Sequence, residues 1–174
     1  TGHQPMISSR GRYVLTFNGE IYNHRQIRHE LDSQAGILDW RGHSDTEVFL
    51  AAIEHWGVSE SIAKCVGMFA FGLWDREERI LHLARDRLGE KPLYFGIVAG
   101  TLVFSSELKA FRVVPGWSGE IDRKSLAAFM RYSCVPASQS IYRNVFKLPP
   151  AGLLSIPCTN LGRLAEKATI GRVR

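Results

Sequence analysis

Apolar and polar positions change rhythm several times along the chain, and each change marks an element. Arg12-Tyr-Val-Leu-Thr-Phe-Asn18 is rich in strand formers and runs into an Asn18-Gly19 turn signal, which predicts a strand closing there. Asn23 stands three residues before Gln26, and Ile27 and Leu31 follow at helical spacing. A short helix capped by Asn23 is therefore expected over 24–34. Ile37-Leu-Asp-Trp40 reads as a second strand. Ser44 with Glu47 makes a better capping box, and Val48, Phe49, Ala52 and Ile53 supply an apolar face for a helix that stops at Gly57. Ser59 to Lys64 adds a further turn or two of helix.

From Met68 to Ser106 the rhythm is that of strands: 68–74, 79–84, 93–98 and 101–104. Asp75-Arg-Glu-Glu78 and Ala99-Gly100 are short hairpin connections, which imply antiparallel pairing because parallel strands need long crossovers. Asp122 is placed to cap a helix carrying Leu126, Phe129 and Met130, and Pro149-Pro150 breaks any regular element. Helices combined with a block of hairpin-linked strands define an α+β domain with an antiparallel sheet. The periodicity fades after Leu154, so residues 1–155 are read as the domain and 156–174 as a divergent basic tail.

Composition and charge narrow the function classes. The 174 residues are 45% apolar and 22% charged, ordinary for a globular chain. No apolar run approaches the ~20 residues that span a bilayer, and Thr1-Gly-His-Gln-Pro-Met6 lacks the pattern of a secretory leader. Neither a membrane nor an export role is expected. Of the net charge of +5, three units lie from Pro157 onward, and the body shows no basic stripe that would favour nucleic acid. Three widely spaced cysteines without a CxxC pair, and histidines without ligand spacing, argue for free thiols in a reducing cytoplasm and against a metal site.

Two short stretches carry candidate chemistry. In Asn18-Gly19-Glu20 a side-chain amide and a glycine N–H lie side by side, the donor pair that an oxyanion needs. Asp45 sits at the start of a helix, where the positive end of the dipole favours its charge, and with Glu20 it makes an acidic pair able to hold a ligand ammonium. Taken singly, Asn-Gly is most simply a turn and Asp45 most simply part of a cap.

Their order along the chain changes that weighting. Asn18-Gly-Glu-Ile-Tyr-Asn23, Gly42-His-Ser-Asp-Thr-Glu47, Gly67-Met-Phe-Ala-Phe71, Arg85-Asp-Arg-Leu-Gly-Glu-Lys-Pro-Leu-Tyr94 and Phe104-Ser-Ser-Glu-Leu-Lys109 follow one another, with Ser140 to Pro150 after them. This series resembles the glutaminase domain of glutamine-hydrolysing asparagine synthetases, which are class II glutamine amidotransferases. The resemblance covers about residues 1–155. It implies a truncated αββα sandwich of the N-terminal-nucleophile hydrolase type, built on antiparallel sheets. It also implies that Asn18 and Gly19 form the oxyanion hole, as the catalytic pair, while Glu20 and Asp45 hold the α-amino group of glutamine. In that family a terminal cysteine attacks the glutamine amide, and the ammonia released amidates aspartate in a second domain.

The family's cysteine-bearing segment and its synthetase domain have no counterpart in these residues. Thr1 matches an internal loop of the family, so it is not expected to act as the nucleophile. The expectations are weak glutamine binding, no glutaminase activity from this polypeptide alone, no cofactor, and a homodimer joined through sheet edges or faces. The alternative is a non-catalytic dimeric scaffold or binding module derived from the same fold. Arg85, Asp86, Lys91 and Glu107 are given no catalytic role, and two readings stand equal for them: contacts to the synthetase domain in a full-length relative, or salt-bridged loop anchors.

Overall fold

Strand-forming residues with one buried face dominate the chain, and they assemble into two stacked antiparallel sheets. The structure, a computed structural model, describes residues 3–36, 39–136, 138–159 and 170–172. Strands β1 (Met6–Ile7) and β2 (Tyr13–Ile21) are followed by helices α1 (His24–Ala35), α2 (Asp45–Trp56) and α3 (Val58–Lys64). Then come β3 (Gly67–Asp75), β4 (Ile80–Arg85), β5 (Tyr94–Val98) and β6 (Thr101–Ser105). A 3-10 helix (Leu108–Val113), α4 (Arg123–Tyr132), β7 (Val145–Lys147), β8 (Gly152–Pro157) and β9 (Ile170–Arg172) complete the order. The larger sheet runs β1-β2-β3-β4-β8-β9 and the smaller β6-β5-β7.

Alternation along the strands decides what each face meets. Leu15, Phe17, Phe69, Phe71 and Leu73 turn toward α1 and α2, where they pack with Ile27, Leu31, Phe49 and Ile53. Phe49 meets Phe71 edge-on at 5.2 Å between ring centroids. Ala70, Leu83, Leu154 and Ile156 face the other way, onto Phe95 and Leu148 at the smaller sheet. Gly72 lets the sheets close up, since a Cβ there would lie 2.4 Å from the Phe104 ring. The outer side of the smaller sheet, Val98 and Val145, packs on Phe111 of the 3-10 helix. The layers are thus helix, sheet, sheet, helix, the αββα order.

Several elements differ from the sequence reading, each for a local reason. The first strand does not turn at Asn18-Gly19 but pairs with β3 as far as Ile21↔Gly67. Asn23 does not cap α1 with its side chain. Its Nδ2 donates to Lys64 O at 2.9 Å and its Oδ1 accepts from Val66 N–H at 2.9 Å, fastening α1 to the start of β3. Ser44 caps α2 by accepting from Glu47 N–H, whereas Glu47 reaches past the cap to accept from the N–H groups of Arg41 and Gly42. Of the strand expected at 37–40, residues 37 and 38 lie outside the described residues, and Asp39 and Trp40 are not in a strand. The Ala99-Gly100 connection is a tight hairpin with φ of 47° and 81°, the left-handed pair that suits the strand twist.

Ile156 and Pro157, placed in the tail by pattern alone, belong to β8, and β9 pairs with it at Gly152↔Arg172 and Leu154↔Ile170. Among the described residues no helix is long and apolar enough to cross a membrane. Cys65, Cys134 and Cys158 are free thiols. Burial pushes the Cys65 thiol up to about 12, an effect that Arg87 partly opposes and Asp45 reinforces. Because the thiolate is the reactive form, iodoacetamide at neutral pH is expected to label exposed Cys134 and spare Cys65. Mass spectrometry of the digested protein reads the result, and rapid labelling of Cys65 in the native state would contradict its buried placement.

Candidate active site

The candidate residues converge on one edge of β2. In an antiparallel strand, successive residues point their backbone groups to opposite neighbours. Tyr22 N–H donates to Val66 O, so the even residues face β3. The odd residues face the opposite edge. There β1 covers only the first part of β2, with Met6↔Leu15 and Ile7↔Val14 as partners. Further along, Gln4 takes the place of a strand: Phe17 N–H donates to Gln4 Oε1 at 2.7 Å, and Gln4 Nε2 donates to Phe17 O at 2.8 Å. Four residues beyond Phe17, Ile21 N–H donates to Asp45 Oδ2 at 2.8 Å. Gly19 lies midway, so its N–H points out of the same edge, between the Gln4 amide and the Asp45 carboxylate.

Local sequence explains each placement. Gly19 adopts a φ of 149°, and a Cβ on it would stand 2.1 Å from Met68 O of β3. Only glycine fits. Asn18 and Glu20, one residue to either side, share the face of β2 that looks toward the smaller sheet, and both are exposed. Asn18 Nδ2 donates to Ser106 Oγ at 3.0 Å, just past the end of β6, which orients the amide. Asp45 is the first residue of α2, and its Oδ1 accepts from Thr46 N–H at 2.7 Å. Its two oxygens are thereby held by backbone donors of α2 and β2, which fixes the helix start against the strand edge.

The structure therefore brings Asn18, Gly19, Glu20 and Asp45 to one region. A backbone N–H and a carboxamide supply donors there, and two carboxylates supply negative charge. Such a set can bind a zwitterionic amino acid by its ammonium and polarise a carbonyl oxygen. A cavity of about 610 Å³ opens nearby, between residues 5–10, residues 39–42 and the Glu47, Leu50, Ala51 and Glu54 face of α2. It includes Ser44 but none of the four site residues.

Sequence reasoning missed two positioning side chains, Gln4 and Ser106. Ser106 lies inside the Phe104–Lys109 stretch that carries the family resemblance and Gln4 lies outside all such stretches, and neither stands out by periodicity or charge. The Arg85–Tyr94 stretch is a loop anchor, though not through salt bridges. Buried Arg85 donates to the backbone oxygens of Gly89, Lys91 (2.6 Å) and Leu148 (2.8 Å). Buried Asp86 accepts from the N–H groups of Phe69, Leu88, Glu90 and Lys91. Asp86 N–H also donates to Phe69 O at 2.8 Å, which pins the β3 residue that pairs with Gly19. Glu107 lies just before the 3-10 helix and pairs with Lys109 at 2.6 Å.

A two-sheet αββα sandwich with a glycine N–H, a carboxamide and two carboxylates along one strand edge is the type of domain found in class II amidotransferases. Residues 1–163 match the glutamine amidotransferase domain family, and the chain belongs to it. It is similar to asparagine synthetase (glutamine-hydrolyzing) 1 of Bacillus subtilis, with 36% identity over 155 residues, covering 89% of this chain and 24% of that protein. A putative glutamine-hydrolyzing asparagine synthetase of Mycobacterium tuberculosis is 39% identical over 153 residues, covering 84% and 23%. The chain thus spans about a quarter of the length of these curated relatives. Among solved structures, glutamine phosphoribosylpyrophosphate amidotransferase from B. subtilis shares the fold with a TM-score of 0.66 at 22% identity, over 98% of this chain and 32% of that one. A glutamine aminotransferase class-II domain protein from Silicibacter pomeroyi superposes with a TM-score of 0.54 at 14% identity, over 98% and 72%.

Proposed function

We propose that this domain binds glutamine at the β2 edge and polarises its side-chain amide for hydrolysis, the ammonia-supplying half of an asparagine-synthetase-like reaction. The observation that carries the reading is the Gly19 N–H, held between Gln4 and Asp45 with the Asn18 amide beside it. In this reading Glu20 and Asp45 hold the α-ammonium, while Gly19 N–H and Asn18 Nδ2 receive the charge that develops on the amide oxygen. The attacking nucleophile is none of the three thiols. Cys65 is buried and protonated, Cys134 follows α4, and Cys158 follows β8 beside Arg79. These 174 residues accordingly bind glutamine without turning it over alone. Three free thiols support a reducing, cytoplasmic setting.

Calorimetric titration with L-glutamine tests the proposal. Asp45→Asn and Glu20→Gln each remove a charge-assisted hydrogen bond worth roughly 1.5–3 kcal/mol, so affinity is expected to fall about 10- to 150-fold. Glu20 is exposed, so its variant leaves the fold intact. Glutamine binding that neither variant weakens, or ammonia release above a triple Cys→Ser control, would overturn the reading.

A further inference from the structure

The cavity of about 610 Å³ between β1 and α2 is of a size that takes a small ligand, and its walls carry a definite pattern of charge. Glu47, Leu50, Ala51 and Glu54 stand at i, i+3, i+4 and i+7 of α2, so a single helix face lines it. Seven residues at a rise of 1.5 Å set the two glutamates about 10 Å apart along the helix. Leu50 and Ala51 lie between them, and Met6 and Trp40 add apolar surface. Trp40 is held in place, its Nε1 donating to Asp32 Oδ1 at 2.9 Å and its ring lying 4.5 Å beneath the Arg28 guanidinium.

Each carboxylate is fixed by a different loop. Glu47 accepts from the N–H groups of Arg41 and Gly42 at 2.7 and 3.0 Å. Glu54 accepts from the Ser9 hydroxyl at 2.6 Å and from Arg10 N–H at 3.1 Å. Burial would raise the Glu54 carboxyl, but hydrogen bonds from Ser8, Ser9 and the Arg10 backbone outweigh it and hold it below its ordinary value. Among the described residues neither glutamate has an ion-pair partner, although Arg10 and Arg41 line the same cavity. A carboxylate offers about four acceptor sites, so both keep capacity for a further donor.

We propose that this cavity binds a linear aliphatic diamine, with one ammonium at Glu47, the other at Glu54 and the alkyl chain along Leu50 and Ala51. Two fixed negative charges separated by apolar surface select a ligand of the same pattern in the opposite sign. A monoamine leaves one carboxylate unmatched, and a short diamine does not reach both. An amino acid would set its own carboxylate beside Glu47 or Glu54, which disfavours it. Asn18, Gly19, Glu20 and Asp45 line none of this cavity, so the proposal does not rest on glutamine binding.

Calorimetric titration of the whole chain with α,ω-diaminooctane, α,ω-diaminobutane and octylamine tests it. Diaminooctane is expected to bind at least about tenfold more tightly than either of the others. Glu47→Gln and Glu54→Gln should each weaken it about 10- to 150-fold. Because both glutamates also fasten loops, Ala51→Phe supplies a second handle. It fills the trough without touching a carboxylate and should weaken diaminooctane binding by at least about tenfold with unchanged circular dichroism. Absence of binding overturns the proposal, as does binding no tighter than that of octylamine or diaminobutane, or affinity that none of the three variants lowers. Displacement of diaminooctane by L-glutamine would place the diamine at the β2 edge and overturns it equally.

Discussion

Replacing Gly19 with alanine is expected to destabilise the domain by roughly 2–6 kcal/mol, the sum of overpacking against a neighbouring strand and a backbone angle that side chains avoid. The added methyl would lie 2.1 Å from Met68 O and 2.6 Å from Phe69 Cα, both backbone atoms of β3 that cannot rotate aside. Relief requires β2 and β3 to part, and neither is an edge strand of the six-stranded sheet. Gly100 supplies the control: its φ is 81° but nothing lies within 4 Å of a Cβ there. Gly100→Ala should therefore cost only about 1 kcal/mol of backbone strain. Urea unfolding of the two variants and the parent measures the gap. Equal losses would mean that β2 and β3 are not in contact at Gly19.

The second large effect is expected at the Arg12–Asp75 pair. Asp75 is 3% exposed and closes the turn between β3 and β4. It accepts from Arg12 Nη2 at 2.7 Å and from the N–H groups of Glu77 and Glu78 at 3.0 and 3.1 Å. Asp75→Ala leaves these donors without their acceptor. The loss should be about 3 kcal/mol, at the low end for a broken buried pair because Arg12 is about a third exposed and regains water.

Burial alone would raise the Asp75 carboxyl, but the hydrogen bonds from Arg12 and the two backbone donors outweigh it and hold it below the ordinary 3.8. A carboxyl depressed in the folded state stabilises above its unfolded value, and that contribution is lost as pH falls through the folded one. The stability gap between parent and Asp75→Asn should therefore be constant above about pH 5 and shrink below about pH 4. Glu30, Glu54 and Asp122 are also depressed, but they are common to both proteins and cancel in the difference. A gap that stays constant down to about pH 2 would show that Asp75 carries no such linkage.

The strand block was legible because burial on one face forces alternation, and α2 because Ser44 and its apolar stripe agree. Gly19 misled for a physical reason: Asn-Gly favours a turn, yet glycine is equally what two strands demand where their backbones touch. Asn23 has the spacing of a cap, but its amide serves a contact 41 residues away with Lys64, which no local window contains. The four candidate residues were proposed as a set through their order along the chain, and the fold places them along one strand edge, whereas Gln4 was not legible, because its work is done by imitating a strand. For α4, periodicity revealed Leu126, Phe129 and Met130 but not that they stay exposed.

The edge of β2 has one further consequence, for aggregation. An exposed strand edge is a template on which other chains can zip. Here the Gln4 amide occupies the backbone of Phe17 and the Asp45 carboxylate occupies that of Ile21. An incoming strand would have to evict both stoppers at once, whereas a single small molecule needs only the gap between them.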